Sequence, residues 1–226
     1  MRLIFEQSAS LIFNPERWLG MESVEKPCVI SCGILQKEIE YLLEKGDIDV
    51  KVHFLSERLH NDYNLLDRAL NGAVKKHRKQ SPEGVIVVYG DLCLGFNGEM
   101  KKLIDKYDVV KVDALNCIDC LLGGKGKLLE MDPDHKYLFL NPAFIKFAEN
   151  IRGKTKEMTR EMFSMLDGIV LLDSMGDLDA YQSKIDEIAD HTGLPIFERK
   201  NIGLEGFKDV LFEALDRHQR KRFANQ

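Results

Sequence analysis

The stretch "VVYGDLCLGFNGEM" (87–100) decides how the chain is read. Its β-branched start reads as a buried strand, its glycines as a turn and "NGEM" as the entry to a helix, so Cys93 stands at the mouth of a strand. The same unit occurs on either side. "CVISC" (28–32) is a short apolar strand ending in Cys32, and "GILQKEIEYLLEKG" (33–46) follows as an amphipathic helix that stops at Gly46. Downstream, "VVKVDAL" is a strand, and "CIDCLLGGKGKLLEM" puts Cys117 just after it, at the start of a helical stretch interrupted by glycines.

Working outward, "IDVKVHFL" (48–55) alternates as a strand does, and "NDYNLLDRALNGAVKKHRKQ" (61–80) opens on cap-type residues and continues as a helix. "KYLFLNP" is a strand running into Pro142, and residues 142–166 read as one or two helices forming a small cap. "GIVLLDS" (168–174), "DAYQSKIDEIADHTG" (179–193), "LPIFERK" and "LEGFKDVLFEALDRHQRKR" then alternate strand, helix, strand, helix. Unbroken apolar strands alternating with helices predict an α/β fold, an open and mostly parallel doubly wound sheet with helices on both faces. Residues 1–26 read as an N-terminal extension and 27–226 as one domain.

The balance of 44% hydrophobic and 31% charged residues is that of a folded globular chain. A net charge of -5 lacks the basic excess expected for nucleic-acid or anionic-membrane binding. The apolar runs of "MRLIFEQSASLIFNPERWLG" are too short for a signal peptide or a membrane span, which makes a cytoplasmic location the expectation. Five cysteines, an odd number, argue for reduced thiols engaged in metal binding, redox chemistry or simple burial. "LLGGKGK" (121–127) lacks phosphate-loop spacing, and no serine nucleophile elbow is present.

In a parallel sheet, functional groups collect outside the carboxyl ends of the strands. If their strands are neighbours, spaced about 4.8 Å apart, Cys32, Cys93 and Cys117 converge there as metal ligands. Gly33 and Gly95 suit close backbone approach, and Asp91, Asn97 and Asn116 in the cysteine-bearing turns suit ligand-orienting roles. Glu38 and His60 are the candidate proton carriers, His60 also a candidate fourth ligand. Each has a plainer reading: cysteine packs well in cores, a helix carboxylate pairs with nearby lysines, and a lone histidine often caps. Cys28, inside its strand, reads as core. The lone "CIDC" (117–120) fits a redox pair or half of a zinc knuckle. Soft thiolates favour zinc, with an iron–sulfur cluster as the alternative, over magnesium or calcium.

"SCGILQKEI" (31–39), "LHN" (59–61), "YGDLC" with its following glycines (89–98) and "NCIDCLLGG" (116–124), in this order, resemble the domain of unknown function 1638 family across about residues 28–205. The resemblance implies Cys32, Cys93 and Cys117 as site residues, accompanied by Glu38 and His60. Cys120 stands where the family has an apolar residue, and "YGDLC" carries one residue more between glycine and cysteine than the family pattern. The family brings no activity with it. Its association with corrinoid-dependent methyl transfer implies one-carbon metabolism and corrinoid or methyltransferase proteins as partners, the protein acting either on a thiol or methyl-group ligand or as a noncatalytic metal or cluster carrier. Self-association is left open.

Overall fold

The computed structural model describes residues 26–147 and 155–224. The expected extension, apart from Lys26, and residues 148–154 of the expected cap lie outside the described residues. The chain runs β1 (Cys28–Cys32), α1 (Gln36–Glu44), β2 (Lys51–Leu55), α2 (Tyr63–Gln80), β3 (Val85–Val88), α3 (Glu99–Tyr107), β4 (Val110–Lys111), α4 (Cys117–Leu122) and α5 (Lys127–Met131). It continues through β5 (Tyr137–Leu140), α6 (Pro142–Phe147), α7 (Lys156–Phe163), β6 (Gly168–Asp173), α8 (Gln182–Thr192), β7 (Ile196–Asn201) and α9 (Glu205–Ala224).

All pairings among these strands are parallel, and the α/β class read from the sequence holds. The strands form two sheets, ordered β2-β1-β3-β4 and β5-β6-β7. The division follows from β4, which contributes only Val110 and Lys111 to its ladder and ends the first sheet. Every residue of β1 and β3 is buried, because helices cover both faces of these central strands. β7, at the other edge, is mostly exposed and carries Glu198, Arg199 and Lys200, charges that blunt an open strand edge.

Alternation along β6 ties the two sheets together. Val170 and Leu172 belong to the large core of the first sheet, whereas Ile169 and Leu171 pack with Leu178, Ile185, Ile188 and Leu194 around α8. On α9, Phe207, Val210, Leu211, Ala214 and Leu215 fill the same large core, at about 1.5–3 kcal/mol for each large side chain fully buried. α6 packs against the 3-10 turn Gly33–Leu35 that follows β1, and against the turn Leu178–Tyr181. The carboxyl ends of β1, β5 and β6 thereby meet at one seam.

Candidate metal centre

The strand order makes β1, β3 and β4 direct neighbours, the condition under which their three cysteines converge. Cys32 closes β1 and caps the following turn, its Sγ accepting the Ile34 N–H at 3.4 Å. Beyond β3 the ladder continues without regular strand: Asp91 N–H donates to Ala114 O at 2.9 Å and Leu92 N–H to Leu115 O at 3.0 Å. These bonds hold the Cys93 turn against the segment leading to Cys117. Only glycine fits at position 90, where a Cβ would stand 2.2 Å from the Leu115 carbonyl oxygen.

Cys117 opens α4, which Asn116 caps by accepting the Asp119 N–H at 3.0 Å. Buried Asp119 then accepts from Leu115 N–H (3.0 Å), Gly126 N–H (3.1 Å) and Leu128 N–H (2.8 Å), fixing the loops on both sides of α4. The aspartate of "CIDC" is thus a backbone clamp. His60 arrives on the 3-10 turn Glu57–Asn61, which approaches Gly33 so closely that a Cβ there would lie 2.9 Å from Glu57 Oε2 and 3.2 Å from Leu55 O.

The result is a compact donor set. Cys32 Sγ lies 3.7 Å from His60 Nδ1, and the ligand atoms of Cys32, His60 and Cys117 all fall within 4.8 Å of one another. Cys93, the third thiol expected as a ligand, is not part of that group, but it stands near enough to Cys117 and His60 for both to act on its thiol. All five cysteines are free and buried, while His60 is half-buried, its Nδ1 also 3.2 Å from the Glu57 carbonyl. This group can hold a metal ion.

Electrostatics favour the ligand forms of two thiols. Hydrogen bonding from Cys117, opposed by burial and helped by His60, lowers Cys32 to about 6 and Cys93 to about 5. Cys117, the shared donor, is raised well above the ordinary thiol range by its bonds to Cys32 and Cys93. Burial opposes the charge on His60, but hydrogen bonds to Cys32 and Cys93 outweigh it and raise the imidazole to about 10.

The other expected site residues lie elsewhere. Glu38 is buried on α1 and accepts the Ser174 hydroxyl at 2.6 Å; burial raises its carboxyl, and its contacts are made across the seam, not with a sulfur. Asp91 is held by Lys111 (2.9 Å) and Lys125 (2.8 Å) in an ion-pair cluster. Gly95 and Asn97 line a surface groove between α2 and α3, and Asn97 N–H is taken up by Glu99 at 2.8 Å. Gly33 serves the close approach of the His60 turn. Cys28 and Cys120 are core, both thiols raised by burial, Cys28 to about 11.

One group in the site was not singled out by the sequence. Tyr89, next after β3 and fully buried, stacks its ring on His60 with centroids 6.1 Å apart at 17°. An aromatic residue at a strand end reads as packing, although Tyr89 opens the "YGDLC" stretch that carries part of the family resemblance.

The family model described as Protein of unknown function (DUF1638) matches residues 54–211, more than half of the chain. The match begins downstream of Cys32, whereas the sequence resemblance was expected from about residue 28. No curated protein and no solved structure matches the chain.

Proposed function

The chain belongs to the DUF1638 family, and from its own side chains we propose that it is a zinc-thiolate protein whose centre binds and activates a small thiol or related sulfur ligand. The observation that carries this reading is the meeting of Cys32, His60 and Cys117 donor atoms within 4.8 Å, beside Cys93. A tetrahedral zinc with bonds of about 2.3 Å to sulfur and 2.0–2.1 Å to nitrogen sets such donors roughly 3.6 Å apart. The 3.7 Å between Cys32 Sγ and His60 Nδ1 matches that edge. An iron–sulfur cluster attaches its thiolates to different irons and needs a wider ring of sulfurs, so a single ion is the better fit. Thiolates with one imidazole favour zinc over hard cations.

When bound, zinc acts as a Lewis acid that lowers the pKa of a coordinated thiol or water. Cys32 and Cys117, anchored at the end of β1 and the start of α4, and His60, against the Gly33 turn, form the fixed part of the donor set. Cys93 is carried by a turn, which makes it the donor suited to give way to an incoming ligand. Among the described residues no helix is long and apolar enough to cross a membrane, and free thiols suit a reducing compartment such as the cytoplasm. No arrangement of described side chains speaks for a corrinoid or a methyl donor, so the reading stops at the ion and its sulfur ligand.

Elemental analysis of anaerobically purified protein tests it. Stoichiometric zinc that is lost in Cys32→Ser and Cys117→Ser, both still folded, is expected; folded wild-type protein that holds no metal after zinc reconstitution would overturn it.

A further inference from the structure

Tyr89 is the residue of this centre whose polar atom has nothing to do. Its side chain is fully buried, and its hydroxyl has no hydrogen-bond partner among the described residues. The geometry rules out a peripheral location: Tyr89 follows β3, the strand between those leading to Cys32 and Cys117, and its ring lies on the imidazole of His60. The charges of Cys32, Cys117 and Cys93 all act on the phenol, and Cys32 also acts on it as a hydrogen-bonding neighbour, yet no acceptor meets regular hydrogen-bond distance and angle with the oxygen.

A buried hydroxyl left without an acceptor is destabilising. Apolar packing at this position is served equally well by phenylalanine, which carries no such cost. The oxygen therefore calls for a partner that the protein itself does not provide, and the surrounding groups limit what that partner is. Its ring lies on His60, a member of the Cys32, His60 and Cys117 group whose donor atoms can hold a metal ion, so the partner is a ligand bound at that ion.

We infer that Tyr89 is a positioning residue, its hydroxyl donating a hydrogen bond to the sulfur of a small thiolate bound at the metal centre. The inference rests on the zinc-thiolate reading and deepens it by naming the group that selects and orients the ligand. The bond is charge-assisted, the stronger kind, because its acceptor is an anion coordinated in a dry site. Tyr89 does not hold the ion, which distinguishes its role from those of Cys32, His60 and Cys117.

Cobalt(II) substituted for zinc gives the test a colour. Intense sulfur-to-cobalt charge-transfer bands in the wild-type protein report on the ion and its thiolates, and their change on titration with ethanethiol reports on ligand binding. Tyr89→Phe is expected to bind cobalt stoichiometrically and keep the ligand-free bands, while its affinity for ethanethiol falls on the order of tenfold or more. Equal ethanethiol affinity in the two proteins, or wild-type bands indifferent to ethanethiol, would overturn the role of Tyr89. Ligand-free bands that shift in Tyr89→Phe would also overturn it, by assigning the hydroxyl to a protein thiolate. Wild-type protein that takes up no cobalt would instead remove the metal reading itself, a failure seen before any ligand is added.

Discussion

Cys32 Sγ and His60 Nδ1 lie 3.7 Å apart although 28 residues separate them in the chain. The contact exists because β1 and β2 run parallel in register, Cys32 opposite Leu55, so that the turn after β2 delivers His60 to the end of β1. His60→Ala is therefore expected to weaken zinc affinity by at least the roughly 10–100-fold attached to the supporting groups of metal sites, with the fold retained. Competition against a chromophoric chelator measures it, and unchanged affinity would exclude His60 from the centre.

Gly90 makes a second prediction. A methyl group there would meet the Leu115 carbonyl oxygen at 2.2 Å, Asn116 N at 2.3 Å, and could be relieved only by parting the Cys93 turn from the Cys117 segment. Gly90→Ala should cost at least about 1–3 kcal/mol in chemical denaturation and should also lower metal retention. Stability lost with full metal retention would mean that the two segments do not depend on each other.

Ion binding should release protons. At pH 7–8 the ion-free centre keeps a proton on Cys117, raised above the thiol range, and on His60, raised to about 10, whereas Cys32 and Cys93 are already thiolates at about 6 and about 5. Ligation displaces the Cys117 proton and one imidazole proton of His60. Zinc titrations by calorimetry in buffers of different ionisation enthalpy should show about two protons released per ion, and no buffer dependence would contradict this charge state.

Glu38 governs a pH dependence of its own. Burial raises its carboxyl above the 4.5 of an ordinary glutamate, so its contribution to stability is full below that value and is lost as pH rises through the higher, native value. The melting temperature of Glu38→Gln should accordingly fall less than that of wild type as pH is raised from about 4.5 towards neutrality. Parallel melting curves would show that Glu38 titrates normally.

The sequence carried the rim of the site further than its interior. Strand, cysteine and helix lie within a few residues of one another, so the placing of Cys32, Cys93 and Cys117 at strand ends was legible from local pattern alone. The meeting of Cys32 with Cys117 depends on β3 pairing with β1 on one side and β4 on the other, which no local pattern encodes. The partnership of Glu38 with Ser174 spans 136 residues and arises only because the second sheet turns its strand ends toward α1. Asp91, Gly95 and Asn97 share the turn of Cys93, but proximity in sequence did not bring them to the sulfurs: turn residues point outward to lysines and to a groove. The divided sheet followed from the brevity of β4, for "VVKVDAL" offers a longer apolar run than the ladder uses.

X-ray absorption at the zinc edge of the reconstituted protein tests the central claim most directly, since it reads the atoms around the ion. A first shell of three sulfurs near about 2.3 Å and one imidazole nitrogen near about 2.0–2.1 Å is the expected result. A shell of oxygen and nitrogen alone, or one left unaltered when Cys32 is replaced by serine, would contradict it.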